Sequence, residues 1–167
     1  MQLYLLRHGI AQGREEPGCP PDPDRDLTAR GIRRTVSALE GLRVLGVEVA
    51  ETWTSPYLRC RHTAELAAKT LRTPAPQVEE LLAPGRSIER AFAAIASRPT
   101  PSVLICGHAP DLDRLAAYAL VGEDALITSM KKAACALITL EAPPQPGGVL
   151  RWLLEPAVLR RLGGAED

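Results

Sequence analysis

Six apolar-rich residues open the chain, and the pattern then breaks sharply. Met1–Leu6 (MQLYLL) reads as a short buried strand that stops at Arg7. Residues 9–26 follow, with Pro17, Pro20, Pro21 and Pro23 among Gly13 and Gly18, a composition that leaves no room for a regular element. Thr28 is placed to cap a helix whose apolar positions Ile32, Val36, Leu39 and Leu42 recur at helical spacing up to Gly46. Val49–Thr54 predicts a second strand. Ser55-Pro56 predicts a helix start, with Ala64, Ala67, Ala68 and Leu71 on its buried face. Gln77–Leu82 predicts a third strand, and Ser87–Ser97 a helix turned inward at Ile88, Ala91, Phe92 and Ile95.

A second continuous apolar strand follows at Ser102–Cys106 (SVLIC), closed by Gly107-His108. Uninterrupted apolar runs of this kind belong to a sheet covered on both faces. Asp111–Val121 predicts a helix with Leu112, Leu115, Ala116 and Ala119 inward. Ala134–Leu140 and Val149–Leu154 flank a turn of Pro143, Pro144, Pro146, Gly147 and Gly148 and predict a hairpin. Strands alternating with helices imply a three-layer α/β/α sandwich on a mostly parallel sheet, to which the hairpin adds one antiparallel strand. Neither a repeat nor a linker interrupts the pattern, so residues 1–167 are expected to form a single domain.

Charge narrows the function classes. The chain has 20 basic and 20 acidic residues, a balance unlike the basic excess of nucleic-acid-binding proteins. No run has the apolar length of a membrane span, and the first residues lack the basic start of a secretion signal, so the cytoplasm is the expected compartment. Cys19, Cys60, Cys106 and Cys135 form no CxxC pair and are expected to be reduced thiols.

The chemistry gathers at strand ends. Two of the three histidines, His8 and His108, follow the two continuous apolar strands. In a parallel sheet both reach the same edge, where ligands bind in α/β proteins. Arg59 lies in the first turn of a helix leaving that edge, and helix N-termini favour anions. Arg7, Arg59, His8 and His108 can therefore converge on one phosphate-sized spot. A lone Arg-His-Gly could equally be a strand turning into a loop; the second histidine and Arg59 tip the reading towards phosphoryl chemistry.

These residues carry a resemblance. Leu6-Arg7-His8-Gly9, Leu27-Thr28-Ala29-Arg30-Gly31, Ser55-Pro56-Tyr57-Leu58-Arg59 with Thr63-Ala64, and Gly107-His108-Ala109-Pro110-Asp111-Leu112 stand in the order found in the histidine phosphatase superfamily, with its phosphoglycerate-mutase-like fold. Together with Lys131-Lys132-Ala133 they resemble the small SixA-type phosphohistidine phosphatases within it. The resemblance implies that His8 is the nucleophile, transiently phosphorylated, and that Arg7, Arg59 and His108 hold the phosphoryl oxygens. It also implies a mixed sheet with one antiparallel strand.

Candidates for a general acid are Glu80, beside Glu79, and Asp111, whose simpler role is to start a helix. His62 either lines the pocket or is a solvated helix residue. Ile10-Ala11-Gln12 after the glycine departs from the Thr and Asn of the mutase members. The implied function is a phosphatase that needs no metal or other cofactor, acting on a phosphorylated protein, histidine-phosphorylated in the SixA pattern, or on a small phosphate ester. A non-catalytic phosphate-binding module has no need of a nucleophile. A metal site from His8, His108 and Asp111 would lack any HxH or HExxH spacing and would set a cation between two arginines.

Overall fold

The computed structural model describes residues 1–164. Six strands form one sheet in the order β3-β2-β4-β1-β5-β6. They are β1 (Gln2–Arg7), β2 (Glu51–Thr54), β3 (Gln77–Val78), β4 (Ser102–Gly107), β5 (Cys135–Thr139) and β6 (Val149–Leu154). The helices are α1 (Ala29–Val44), α2 (Leu58–Leu71), α3 (Ile88–Ala96), α4 (Asp111–Val121) and α5 (Pro156–Leu162). Neighbours β1–β4, β4–β2 and β2–β3 are parallel, and β5 runs against β1 on one side and β6 on the other. The mostly parallel mixed sheet with one antiparallel strand is the architecture the sequence implies.

Strand alternation builds two cores from one sheet. Leu3 and Leu5 of β1, with Val103 and Ile105 of β4, pack against Ile88, Phe92 and Ile95 of α3 and Leu112 and Leu115 of α4. Tyr4 and Leu6, with Leu104 and Cys106, turn the other way, onto Leu39 and Leu42 of α1, Cys60 and Ala64 of α2 and Leu159 of α5. Burial on both faces explains why β1 and β4 read as unbroken apolar runs.

Several boundaries differ from the sequence reading. The second strand begins at Glu51, two residues late, and the third closes after Val78. Residues 80–82 instead form a 3-10 turn, capped by the Glu79 carboxylate, which accepts from the Leu81 N–H. On α1 the buried face runs through Thr35, Ala38, Leu39 and Leu42, while Ile32 and Val36 are half-buried. Helix α2 starts at Leu58, after an extended Tyr57 that makes no side-chain cap. Ser55 is used differently: its hydroxyl is spent on His108, 2.8 Å away. The pattern gave no helix after β6, yet α5 packs closely on α1. A Cβ added to Gly41 of α1 would sit 2.0 Å from the Leu159 carbonyl oxygen, so only glycine permits that approach.

Candidate active site

Strand register delivers the site. Arg7 of β1 pairs with Gly107 of β4, and Thr54 of β2 pairs with Cys106. One residue further on, His8, His108 and Ser55 leave the same edge of the sheet side by side. The His8 N–H donates to the Gly107 carbonyl (3.1 Å) and the Ser55 N–H to the Cys106 carbonyl (3.0 Å), extending the ladder to the site itself. The antiparallel β5 starts there too, with the Ala133 N–H on the Arg7 carbonyl (3.1 Å).

The His8 ring is fixed in one orientation with one nitrogen free of a proton. Its Nδ1 lies 2.7 Å from the Gly9 carbonyl, so Nδ1 carries the proton and donates it. That leaves a lone pair on Nε2, to which Arg59 Nε donates at 3.3 Å. Burial, opposed in part by the Gly9 hydrogen bond and reinforced by His108, Arg59 and Arg7, lowers the His8 pKa from 6.5 to about 3. Desolvation, more than the arginines, keeps this imidazole neutral. Gly9 leaves room for the loop: a Cβ there would stand 2.2 Å from Thr35 Oγ1.

Arg59 is the hub. It is buried, 4% exposed, and its Nη2 reaches His108 Nδ1 at 3.3 Å. An arginine only donates, so His108 Nδ1 accepts, and His108 Nε2 carries the proton towards Ser55 Oγ. The two imidazole rings stand edge to face, 5.3 Å apart. Thr63 ties α2 to the strand end, accepting from the Gly9 N–H (3.1 Å) and donating to the Arg59 carbonyl (2.7 Å). Arg7 donates through Nη1 to the Met130 carbonyl at 2.5 Å, while its Nε is buried without a partner. Met130 is fixed in turn by Asp113 of α4, whose carboxylate accepts from its N–H at 2.8 Å and from Thr128 Oγ1 at 2.7 Å.

An open cleft of about 490 Å³ lies over these groups, and Arg7, His8, Arg59 and His108 all line it. Asp22, from the proline-rich loop, reaches in from the rim. Its carboxylate meets Arg59 Nη2 (3.1 Å), Arg25 Nη2 (2.6 Å) and Arg14 Nε (3.1 Å). Despite partial desolvation, hydrogen bonds from Arg25 and the Arg59 charge lower its pKa to about 2. A carboxylate thus sits where arginines converge on an anion. Asp22, Arg14 and Arg25 had no signature in the sequence, because a loop without periodicity gives no side-chain direction.

Other expected residues fall elsewhere. Glu80 is exposed and does not line the cleft. His62 turns to the Asp26 carboxylate, 2.7 Å from Nδ1, and is also absent from the lining. Asp111 does line it, but as the first residue of α4 rather than its cap, with Oδ2 accepting from the Gly85 N–H (3.2 Å) and Oδ1 from Arg114 (3.3 Å). Cys106 is core, its thiol directed at the Cys60 carbonyl at 3.3 Å. Among the described residues no group of three His, Cys, Asp or Glu side chains is placed to hold a metal ion.

Comparison with known proteins decides the family. The family model described as histidine phosphatase superfamily (branch 1) matches residues 3–83, which include Arg7, His8 and Arg59. An uncharacterized protein of Picosynechococcus sp. is 39% identical over 137 residues, 80% of this chain and 81% of its own. The structure of the protein histidine phosphatase SixA complexed with tungstate superposes with a TM-score of 0.82 at 26% identity, covering 95% of this chain and 99% of that one. The chain belongs to the histidine phosphatase superfamily. A phosphoserine phosphatase from Entamoeba histolytica in complex with 3-phosphoglyceric acid shares the fold, with a TM-score of 0.68 at 13% identity over 95% of this chain and 98% of its own. This superfamily member is a phosphatase. None of its helices is long and apolar enough, among the described residues, to cross a membrane.

Proposed function

We propose that this phosphatase removes the phosphoryl group from phosphohistidine on a protein, through a phosphorylated His8, with no metal or cofactor. Support comes from the way the cleft treats its carboxylates. Among the described residues the only acidic ones lining it are Asp22 and Asp111, and each is paired with arginine. Asp22 is ionised at neutral pH and cannot donate a proton. A phosphate ester with an alkoxide leaving group needs such a donor; a phosphoramidate does not, because its leaving nitrogen is basic enough to take a proton from water.

The steps follow from the geometry. His8 Nε2 attacks phosphorus in line with the scissile P–N bond. That bond breaks as the leaving imidazole takes up a proton, and the phosphoryl group passes to His8. Arg59, Arg7 and the His108 edge face the equatorial oxygens, where positioning and charge do most of the catalytic work. Nδ1–H on the Gly9 carbonyl stabilises the positive charge that the ring acquires. Water then attacks the phosphorus of phospho-His8, releasing orthophosphate and restoring the neutral imidazole. The similarity to SixA in fold and in the order of the motifs agrees with this assignment.

The test is a leaving-group series read as kcat/KM: a histidine-phosphorylated protein, p-nitrophenyl phosphate and a simple alkyl phosphate. A missing general acid is worth about 10²–10⁴ in rate, so the alkyl ester should trail by that factor. Comparable turnover of the alkyl ester and phosphohistidine would overturn the assignment.

A further inference from the structure

A second cleft, of about 450 Å³, opens beside the first between α1, the segment leading into β5, and α5. Arg7, Arg34, Lys131, Lys132 and Arg160 line it, and among the described residues no Asp or Glu does. In a chain with equal numbers of acidic and basic residues, that is a marked segregation of charge. Arg7 and Lys132 line both clefts, so the two adjoin at these side chains. Lys131 meets Glu155 at the rim (2.9 Å), but Arg34 and Lys132 have no acidic partner among the described residues. Partial burial, and repulsion from Arg7, Arg25 and Arg59, lower the pKa of Lys132, which marks a local excess of positive charge.

We propose that this cleft docks an acidic side chain, Asp or Glu, flanking the phosphorylated residue of a protein substrate. The proposal rests on the phosphohistidine reading and adds a sequence preference to it. The cations come from β1, α1, the segment before β5, and α5, and Ile10 and Pro156 line the same cleft, which suits the aliphatic stem of a glutamate. Cations as solvated as Lys131, whose side chain is 73% exposed, hold a free small anion poorly. A carboxylate tethered to a substrate already anchored by its phosphoryl group binds at high effective concentration, and the same weak contacts then count.

The experiment compares two histidine-phosphorylated peptides that differ only by Glu or Gln beside the phosphohistidine. The wild-type enzyme should favour the Glu peptide about twofold to fivefold in kcat/KM, the worth of one partly exposed ion pair. The preference should appear in KM and fade as salt is added. Arg34→Glu should abolish or invert it, and the milder Arg34→Gln should reduce it, with thermal unfolding confirming that both fold. Equal turnover of the two peptides by the wild-type enzyme, or an unchanged preference in Arg34→Glu, overturns the docking proposal while leaving the phosphohistidine reading intact. Hydrolysis of p-nitrophenyl phosphate with neither peptide turned over overturns the reading itself, and the docking with it. An Arg34-dependent KM for a small bisphosphate, without one for the peptides, also overturns the docking.

Discussion

At the scale of single residues, the site is an arrangement of proton positions. Gly9 fixes the Nδ1 proton of His8, Ser55 takes the Nε2 proton of His108, and Arg59 touches the bare nitrogen of both rings. His8→Ala should therefore eliminate hydrolysis of p-nitrophenyl phosphate and the acid-labile phosphoenzyme without unfolding the protein; retained turnover would remove His8 from the nucleophile's role. With its pKa at about 3, the His8 ring should stay neutral in an NMR titration from pH 8 down to pH 4, where a free imidazole protonates near 6.5. A midpoint near 6.5 would contradict the buried environment. Asp22 faces the arginines as a resident anion that an incoming phosphoryl group must share or displace. Asp22→Asn should lower the Ki for inorganic phosphate several-fold, since like charges in one cleft repel. A higher Ki would show instead that Asp22 serves mainly to orient Arg25 and Arg59.

Among the elements, the ends matter more than the middles. Strands β1, β2 and β4 stop at neighbouring residues, and that shared stop brings His8, Ser55 and His108 together. Helix α5, invisible in the pattern, closes the second core through Leu159 and touches α1 at Gly41. Gly41→Ala forces a methyl group into the Leu159 carbonyl and should cost about 1–3 kcal/mol in chemical denaturation, as overpacking does. Its effect on kcat should be small, because Gly41 is remote from the edge that holds His8. Asp113 acts through Met130 on Arg7. The sequence indicated the helix carrying Asp113, but pairing a carboxylate on α4 with a loop that cradles β1 is a tertiary fact.

For the whole molecule, burying a neutral histidine ties stability to pH. Between pH 6.5 and about 3 the unfolded chain binds a proton at His8 that the folded chain refuses, so stability falls as the pH is lowered through that window. Asp22 adds loss in the same direction below 3.8, towards about 2. A His8→Asn variant should show a flatter fall in Tm between pH 6.5 and pH 4 than the parent. The chain alone determined the alternation of strands and helices and the two histidine-terminated strands. These were legible because burial on two faces leaves continuous apolar runs, and because a strand's end fixes where its next residue emerges. It also determined Arg59, through the start of α2. Tertiary structure decided the rest. It set which loop carboxylate faces the arginines, since residues 9–26 have no period to give them a direction. It sent His62 to Asp26 and left Glu80 in solvent, since a helix face or a turn acquires an inside only when its neighbours are in place. It gathered five cations of a neutral chain into one cleft, since charges from β1, α1, the segment before β5, and α5 become neighbours only when those parts pack.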